Sequence, residues 1–300
     1  MQLTRAWPEW SLAARGAAFG FLILSVQLAS GADAQPPTVG ALLSRAGTLT
    51  VALEDRLAVV VAREEYDQGL LLDRDVVARL RRRTMSDVVW MPTGDAMVWA
   101  FFRDVVSVDG FAVVDRAKRL ERLFVSGATL DARRQASQLL DESTRYNLGK
   151  RRTVNTPAFA LSILHPRNQY RFRFSIVGEA KRDGVHVFKV RFSETARPTL
   201  TRTSTGTNVP ASGTLWIEPG QGALVESELR LDPPWRPTEI RVRYRLDERL
   251  EAWLPFEMEE TYGNLSRAVG QERVEAIARY SDFRKAGVEV QVILPKPSPP

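Results

Sequence analysis

The feature that most constrains this chain is a two-residue hydrophobic period that starts at Tyr170 and runs almost to the C-terminus. Tyr170, Phe172, Phe174 and Ile176 alternate with Arg171, Arg173 and Ser175, and His186, Phe188, Val190 and Phe192 share one face of the next segment. Successive side chains of a strand point to opposite faces, so this alternation specifies strands with one dry side and one wet side. Segments 213–218, 223–231, 240–246, 254–262, 274–280 and 288–292 follow, punctuated by Pro219-Gly220, Pro233-Pro234 and Asp247-Glu248. So many consecutive one-sided strands require a large antiparallel sheet, and its dry face needs a cover.

Charge marks the wet side. Glu226 and Glu228, then Arg241, Arg243 and Arg245, then Glu257 and Glu259 fall on three successive strands, an acidic–basic–acidic order that a meander would pair. Pairing Leu231 with Ile240 sets Glu228 opposite Arg243. Pairing Leu246 with Leu254 sets Arg243 opposite Glu257 and Arg241 opposite Glu259.

The first half supplies helices and a second group of strands. Thr38 is placed to cap a helix bearing Leu42, Ala46, Leu49, Leu53 and Leu57, with Gly47 weakening its middle. Strands are expected from Val59 to Tyr66, late in 76–91, and from Ala96 to Val108, with a connector at 69–75 and turns at 92–95 and Asp109-Gly110. Residues 115–164 read as a helical insert. Asp115 and Asp131 begin helices, Thr156-Pro157 begins a short apolar one, and Leu120, Phe124, Leu139, Leu140, Phe159, Leu161 and Leu164 face inward. Lys150-Arg151-Arg152 reads as a solvated loop, and 199–212, rich in Thr, Ser and Gly, as a mobile one.

The N-terminus bears on location. Arg5 and Arg15 precede the apolar run 17–29, and Ala32-Asp33-Ala34 offers a small-x-small cleavage site. The run is shorter than the about 20 apolar residues of a membrane span, so 1–34 is expected to be a signal peptide cleaved near Ala34. A single domain over 35–294 and a proline-rich tail at 295–300 complete the expected organisation, in a periplasmic or secreted protein. The absence of cysteine excludes thiolate metal sites and thiol nucleophiles. The net charge of +6 is compatible with peripheral contact with an anionic membrane surface. Of the 42 basic residues 36 are Arg, spread along the whole chain, which argues against the clustered footprint of a nucleic-acid binder.

Little points to chemistry. The two histidines, His165 and His186, lack the context of a catalytic triad or a zinc site; His165 suits a helix cap and His186 a core or edge position. Asp109 and Asp115 are explained by a turn and a cap, and Asp104 by an ion pair with Arg103. No catalytic residue, metal or cofactor is expected. What remains is an apolar surplus on the dry face, with Phe172, Phe174, Phe188, Phe192, Phe256, Met258 and Tyr262 as candidates to line a ligand site. A fully packed core is the competing reading.

The segments 102–110, Trp253-Leu254-Pro255-Phe256-Glu257-Met258 and Ala278-Arg279-Tyr280-Ser281-Asp282-Phe283-Arg284 resemble those of uncharacterised exported bacterial proteins. The organisation is similar to the lipoprotein-carrier (LolA/LolB-like) fold: an N-terminal helix, a large antiparallel half-barrel, and helices at its mouth. The long helical insert departs from that pattern. The expected class is α+β, a curved antiparallel sheet whose concave face is covered by the N-terminal helix and the central insert. The resemblance implies binding of a lipid or lipoprotein, without assigning any residue. The alternatives are an envelope interaction protein with a filled core and, behind both, a hydrolase needing two facing carboxylates.

Overall fold

The computed structural model describes residues 36–56, 60–72, 78–92, 99–116, 138, 141–149, 152, 154–203, 205–231, 237–263 and 272–285. The signal segment, the turn at 93–95, most of the insert (including Leu120, Phe124, Leu139 and Leu140), the strand at 288–292 and the tail lie outside the described residues. The chain divides into two units, Met1–Pro36 and Pro37–Pro300, and the second holds all the elements described below.

Eleven strands form one open, curved antiparallel sheet, and with the helices on it the class is α+β. The first group is β1 (Val60–Leu72), β2 (Ala78–Pro92), β3 (Trp99–Val108) and β4 (Phe111–Ala112). The second is β5 (Phe172–Arg182), β6 (Val185–Glu194), β9 (Ala211–Ile217), β10 (Leu224–Leu231), β11 (Thr238–Asp247), β12 (Ala252–Tyr262) and β13 (Glu272–Lys285). Their order is β4-β3-β2-β1-β13-β12-β11-β10-β9-β6-β5. Two meanders are therefore joined edge to edge by β1 and β13. The expected connector at 69–75 is instead strand up to Leu72, because Gly69–Leu72 continue the ladder to β13 on one side and β2 on the other. Between β6 and β9 a two-stranded ribbon, β7 (Thr201–Arg202) with β8 (Asn208–Val209), replaces the expected loop. Thr199 N–H and Oγ1 both donate to Asn208 Oδ1, and Glu194 accepts from the backbone of Leu200 and Ala211.

The helices lie on the dry face. Helix α1 (Val39–Arg56) starts where Thr38 Oγ1 accepts from Ala41 N–H at 3.2 Å, the expected cap. Helix α2 (Phe159–Leu164) is wholly buried, and α3 (Pro166–Gln169) follows at once. Gly47, a weak point by propensity, is where α3 approaches α1: a Cβ there would lie 2.8 Å from Gln169 Nε2 and 3.0 Å from Pro166 Cγ. Gly222, with φ +81, does the same at the β9–β10 turn, where a Cβ would collide with the α1 backbone at Arg45 and Ala46. Leu42, Leu43 and Ala46 of α1 and all of α2 except Ser162 share one core with inward residues of the sheet, from Val60 and Trp90 to Phe192, Ile240 and Met258.

The wet face carries the charge ladder with one correction. Glu226 pairs with Arg243 and Glu228 with Arg241, two residues from the expected register, because β11 begins at Thr238 opposite Leu231. A two-residue shift keeps every side chain on its face. On the other side Arg243 pairs with Glu257 and Arg241 with Glu259, as expected, but Leu246 pairs with Trp253 and not with Leu254, because the register shifts by one between Arg243 and Tyr244. The ladder continues through Arg279, which lies 3.4 Å from Glu257 and 3.6 Å from Asp67, to Arg83, 2.7 Å from Asp67.

Arg243 is ion-paired with Glu257 and remains 37% exposed. Arg243→Ala should therefore lower unfolding stability by only about 1 kcal/mol, with the loss shrinking in 1 M salt. Urea denaturation at two ionic strengths measures this.

Candidate functional site

The inner face of the sheet is divided along the strands. In β1 the inward series is Val60, Ala62, Glu64, Tyr66, Gln68 and Leu70, apolar at the ends and polar in the middle. Paired with it across β2 are Trp90, Val88, Ser86 and Thr84. Across β13 stand Tyr280, Ala278 and Ala276, and Glu260 of β12 pairs with Ala276. The two alanines leave a trough between Tyr66 and Glu260.

Polar side chains fill that trough. Arg103, on β3 and 2% exposed, makes a two-pronged ion pair with the fully buried Glu64. Its guanidinium also lies over the rings of Tyr66 (4.7 Å) and Phe101 (5.1 Å). Burial works against the Arg103 charge, but Glu64 more than offsets it and holds the pKa above the ordinary arginine value. Arg152, expected in solvent, is buried instead. It donates to Leu148 O, to Tyr66 Oη at 3.1 Å and to Gln68 Oε1 at 2.7 Å. Its Nε stands 4.0 Å from Glu260 Oε2, which accepts from Tyr66 Oη at 3.2 Å. Burial raises the Glu260 pKa, with Arg152 and Arg103 opposing it, and pushes that of Tyr66 up to about 12. With its amide oriented to satisfy both groups, Asn155 accepts from Arg103 Nη1 at 3.0 Å and donates to Arg152 O at 3.1 Å.

The other part of the inner face is apolar. α2 lies over it, held where Tyr244 Oη donates to Pro157 O at 2.7 Å. A cavity of about 60 Å³ lies between α1, α2 and β11–β12, lined by Leu49, Leu53, Leu161, Leu164, Tyr244 and Trp253. A second, of about 20 Å³, lies among Leu53, Val60, Trp90, Trp99, Leu161 and Phe283. Leu53 and Leu161 border both, so free space runs along two sides of the helix pair.

Of the residues expected to line a ligand site, Phe172, Phe188, Phe192 and Met258 are core residues. Phe174 is half-buried beside Phe172, at 5.9 Å between ring centroids. Tyr262 belongs to a smaller cluster with Leu70, Leu148 and Val274. Phe256 does not join them. A bulge in β12, where Arg243 pairs with Glu257 but Tyr244 with Pro255, turns it to the wet face beneath Arg243 and Arg245, at 5.5 and 5.1 Å. Strand parity marks Glu64 and Glu260 as inward charges, but Arg152 carries no such signal. The expected pair of Arg103 with Asp104 is absent, since neighbours in a strand face opposite ways. Asp104 instead binds Arg116, which reaches Asp87 at 3.1 Å.

The histidines are structural. His165 Nδ1 accepts from Arg167 N–H at 3.2 Å, the expected cap, while Nε2 faces Glu54 of α1 at 3.2 Å. His186 is half-exposed and 2.9 Å from Glu179. Among the described residues no group of three or more acidic or histidine side chains could hold a metal ion, and no helix is long and apolar enough to cross a membrane.

No family model matches the sequence, and no curated protein matches it either. Its likenesses are among solved structures. A LolA superfamily protein from Nitrosomonas europaea is similar at 11% identity over 87% of this chain and 98% of that one, with a TM-score of 0.35. A putative outer membrane lipoprotein-sorting protein domain from Vibrio parahaemolyticus is similar at 11% identity over 82% and 95%, with a TM-score of 0.30. LprF from Mycobacterium bovis is similar at 11% identity over 87% and 99%, with a TM-score of 0.25.

Removing one partner of a buried pair strands the other. Arg103→Ala should cost about 3–5 kcal/mol by urea denaturation, while the double change Glu64→Leu with Arg103→Leu should cost far less. Burial lowers the His165 pKa, with Arg167 adding to the shift and Glu54 opposing it. A histidine with a depressed folded pKa favours the fold above its unfolded value, about 6.5, and loses that contribution as pH falls through the folded value. The wild type should therefore lose stability from pH 7 to pH 5 by a component that His165→Asn lacks, as thermal melts across this range would record.

Proposed function

We propose that this is an exported, non-enzymatic binding protein that takes an apolar chain, from a lipid or a lipidated polypeptide, between its helices and the concave face of the sheet. The observation that carries this reading is α2, an apolar helix laid in the concave face with apolar free space on two sides. A six-residue helix has little stability of its own and depends on its packing. Its first residues lack a side-chain cap, and Tyr244 supplies the hydrogen bond from the sheet to its entry. Ligand pockets usually hold at least about 300 Å³, so the cavities of about 60 and 20 Å³ are a closed state, and binding requires α2 or α1 to shift. The apolar run at 17–29 and the Ala32-Asp33-Ala34 site support export, with the periplasm as the place of action.

The filled concave face favours a second reading, an envelope protein that acts through its surface and holds no ligand. Titration with cis-parinaric acid separates the two. The wild type should bind at micromolar concentration. Leu161→Trp, which overfills the space beside both cavities, should weaken binding at least tenfold while keeping the circular dichroism spectrum. Tyr244→Phe should lower stability by about 1 kcal/mol and yet strengthen binding several-fold, because it frees α2. No binding by a folded wild type up to the probe's solubility would leave the second reading.

A further inference from the structure

Arg152 and residues 154–164 cross both parts of the inner face. Arg152 and Asn155 sit on the ionic cluster, Ala158 and Leu161 line the 20 Å³ cavity, and Leu161 and Leu164 line the 60 Å³ one. One stretch of chain therefore presents a guanidinium to a buried carboxylate and, nine residues later, a leucine to an apolar crevice. The two regions adjoin. Trp90, which lines the smaller cavity, packs on Tyr280 at 5.6 Å and on Phe101 at 5.5 Å, and Phe101 touches the Arg103 guanidinium. Along β1 the inward side chains pass from Val60 at the cavity through Ala62 to Glu64.

The polar end is imperfectly filled. Glu260 is 2% exposed, and its Oε1 accepts no hydrogen bond. The Tyr262 hydroxyl lies close enough to favour the charged form of Glu260 without reaching hydrogen-bond geometry. Arg152 Nε approaches Glu260 only to 4.0 Å and itself has no acceptor. Glu64, by contrast, is matched on both oxygens by Arg103. A buried carboxylate with a bare oxygen and its cation no nearer than 4.0 Å favours any donor that fits it better.

We propose that Arg152 and residues 154–164 occupy the position of the ligand, and that the ligand is an amphiphile with a positively charged head, an amine or guanidinium, which replaces Arg152 at Glu260 while its tail replaces α2. This inference rests on the apolar-chain reading above and adds the chemistry of the head. Arg103 remains paired with Glu64 in the liganded state, so Glu260 is the carboxylate that the departing segment leaves open. The whole chain carries a net charge of +6, which by itself would favour an anionic amphiphile. A preference for a cation must therefore come from a local site.

The experiment compares dodecylamine with dodecanoic acid, both below their micelle concentrations, by isothermal titration calorimetry on the mature protein. The expected result is at least tenfold tighter binding of the amine, with Glu260→Gln bringing the ratio close to one. Should Glu260→Gln fail to fold, the wild-type ratio alone still decides. Dodecanoic acid binding as tightly as the amine, or a tenfold ratio that persists in folded Glu260→Gln, would overturn the charged-head inference and leave the apolar-chain reading standing. Binding of neither amphiphile would overturn both.

Discussion

Everything on the inner face depends on the antiparallel pairing of β1 with β13, which runs from Val60 opposite Lys285 to Leu72 opposite Glu272. These strands are distant in sequence, and no hairpin turn joins them. Their ladder turns two separate meanders into one sheet, and places the polar middle of β1 beside Ala276 and Ala278 of β13. Those small side chains let Tyr66 reach Glu260 on the next strand but one. Closing so long a loop is costly in chain entropy, and the long ladder with its inward packing offsets that cost.

The dry face of this sheet is not uniform, and the difference has physical consequences. Over β6 and β9–β11 the inward residues are mostly aromatic and aliphatic, and α1 and α2 cover them with few buried polar groups, among them Thr50, which donates to Ala46 O, and Ser162. Over β1–β3, β12 and β13 the face buries two glutamates and an arginine, with a second arginine contributed from outside the sheet. Buried ion pairs are weak contributors to stability relative to apolar packing, and they are strict about geometry. In the closed state they therefore set where Arg152 and Asn155 sit. Gln68 accepts from Leu148 N–H and donates to Tyr146 O, adding neutral hydrogen bonds to the same attachment. Within the apolar cover, α1 is tied to the β9–β10 turn by Arg45 donating to Pro219 O, while α2 is held to the sheet by packing and the Tyr244 hydroxyl and is the part that can give way.

Much of this is legible in the sequence, for identifiable reasons. Period-two alternation locates β5, β6 and β9 to β13, because a half-buried strand cannot hide its pattern, whereas the two-residue strands β7 and β8 are too short to show one. The ladder of Glu226, Arg243 and Glu257 follows from charge on the wet face, though its first register differs from expectation by two residues. Parity cannot distinguish registers that differ by two, and the length of the connection decides. Phe256 departs from the expected face because one bulge reverses the parity of the strand beyond it; Pro255, which has no N–H for a central ladder, is the sequence signal of that bulge, and alternation alone passes over it. Gly47 reads as a flaw in α1 because propensity knows nothing of Gln169 and Pro166 packing against it. Arg152 reads as solvated because a basic triplet usually is, and its partners Tyr66, Gln68 and Glu260 are far from it in sequence, on β1 and β12. The candidate aromatic residues are inward as expected, with that one exception, but periodicity does not report whether an inward face is filled.

Displacement of α2 by an entering apolar chain is tested most directly by hydrogen exchange read by mass spectrometry, with and without saturating lipid. In the closed state the amides of Ser162 and His165 are held by Ala158 O and Leu161 O at 3.3 and 3.0 Å. On binding, exchange should quicken across 158–165 while β9–β11 stay as protected as before. Unchanged or slower exchange across 158–165 at demonstrated saturation would contradict the displacement.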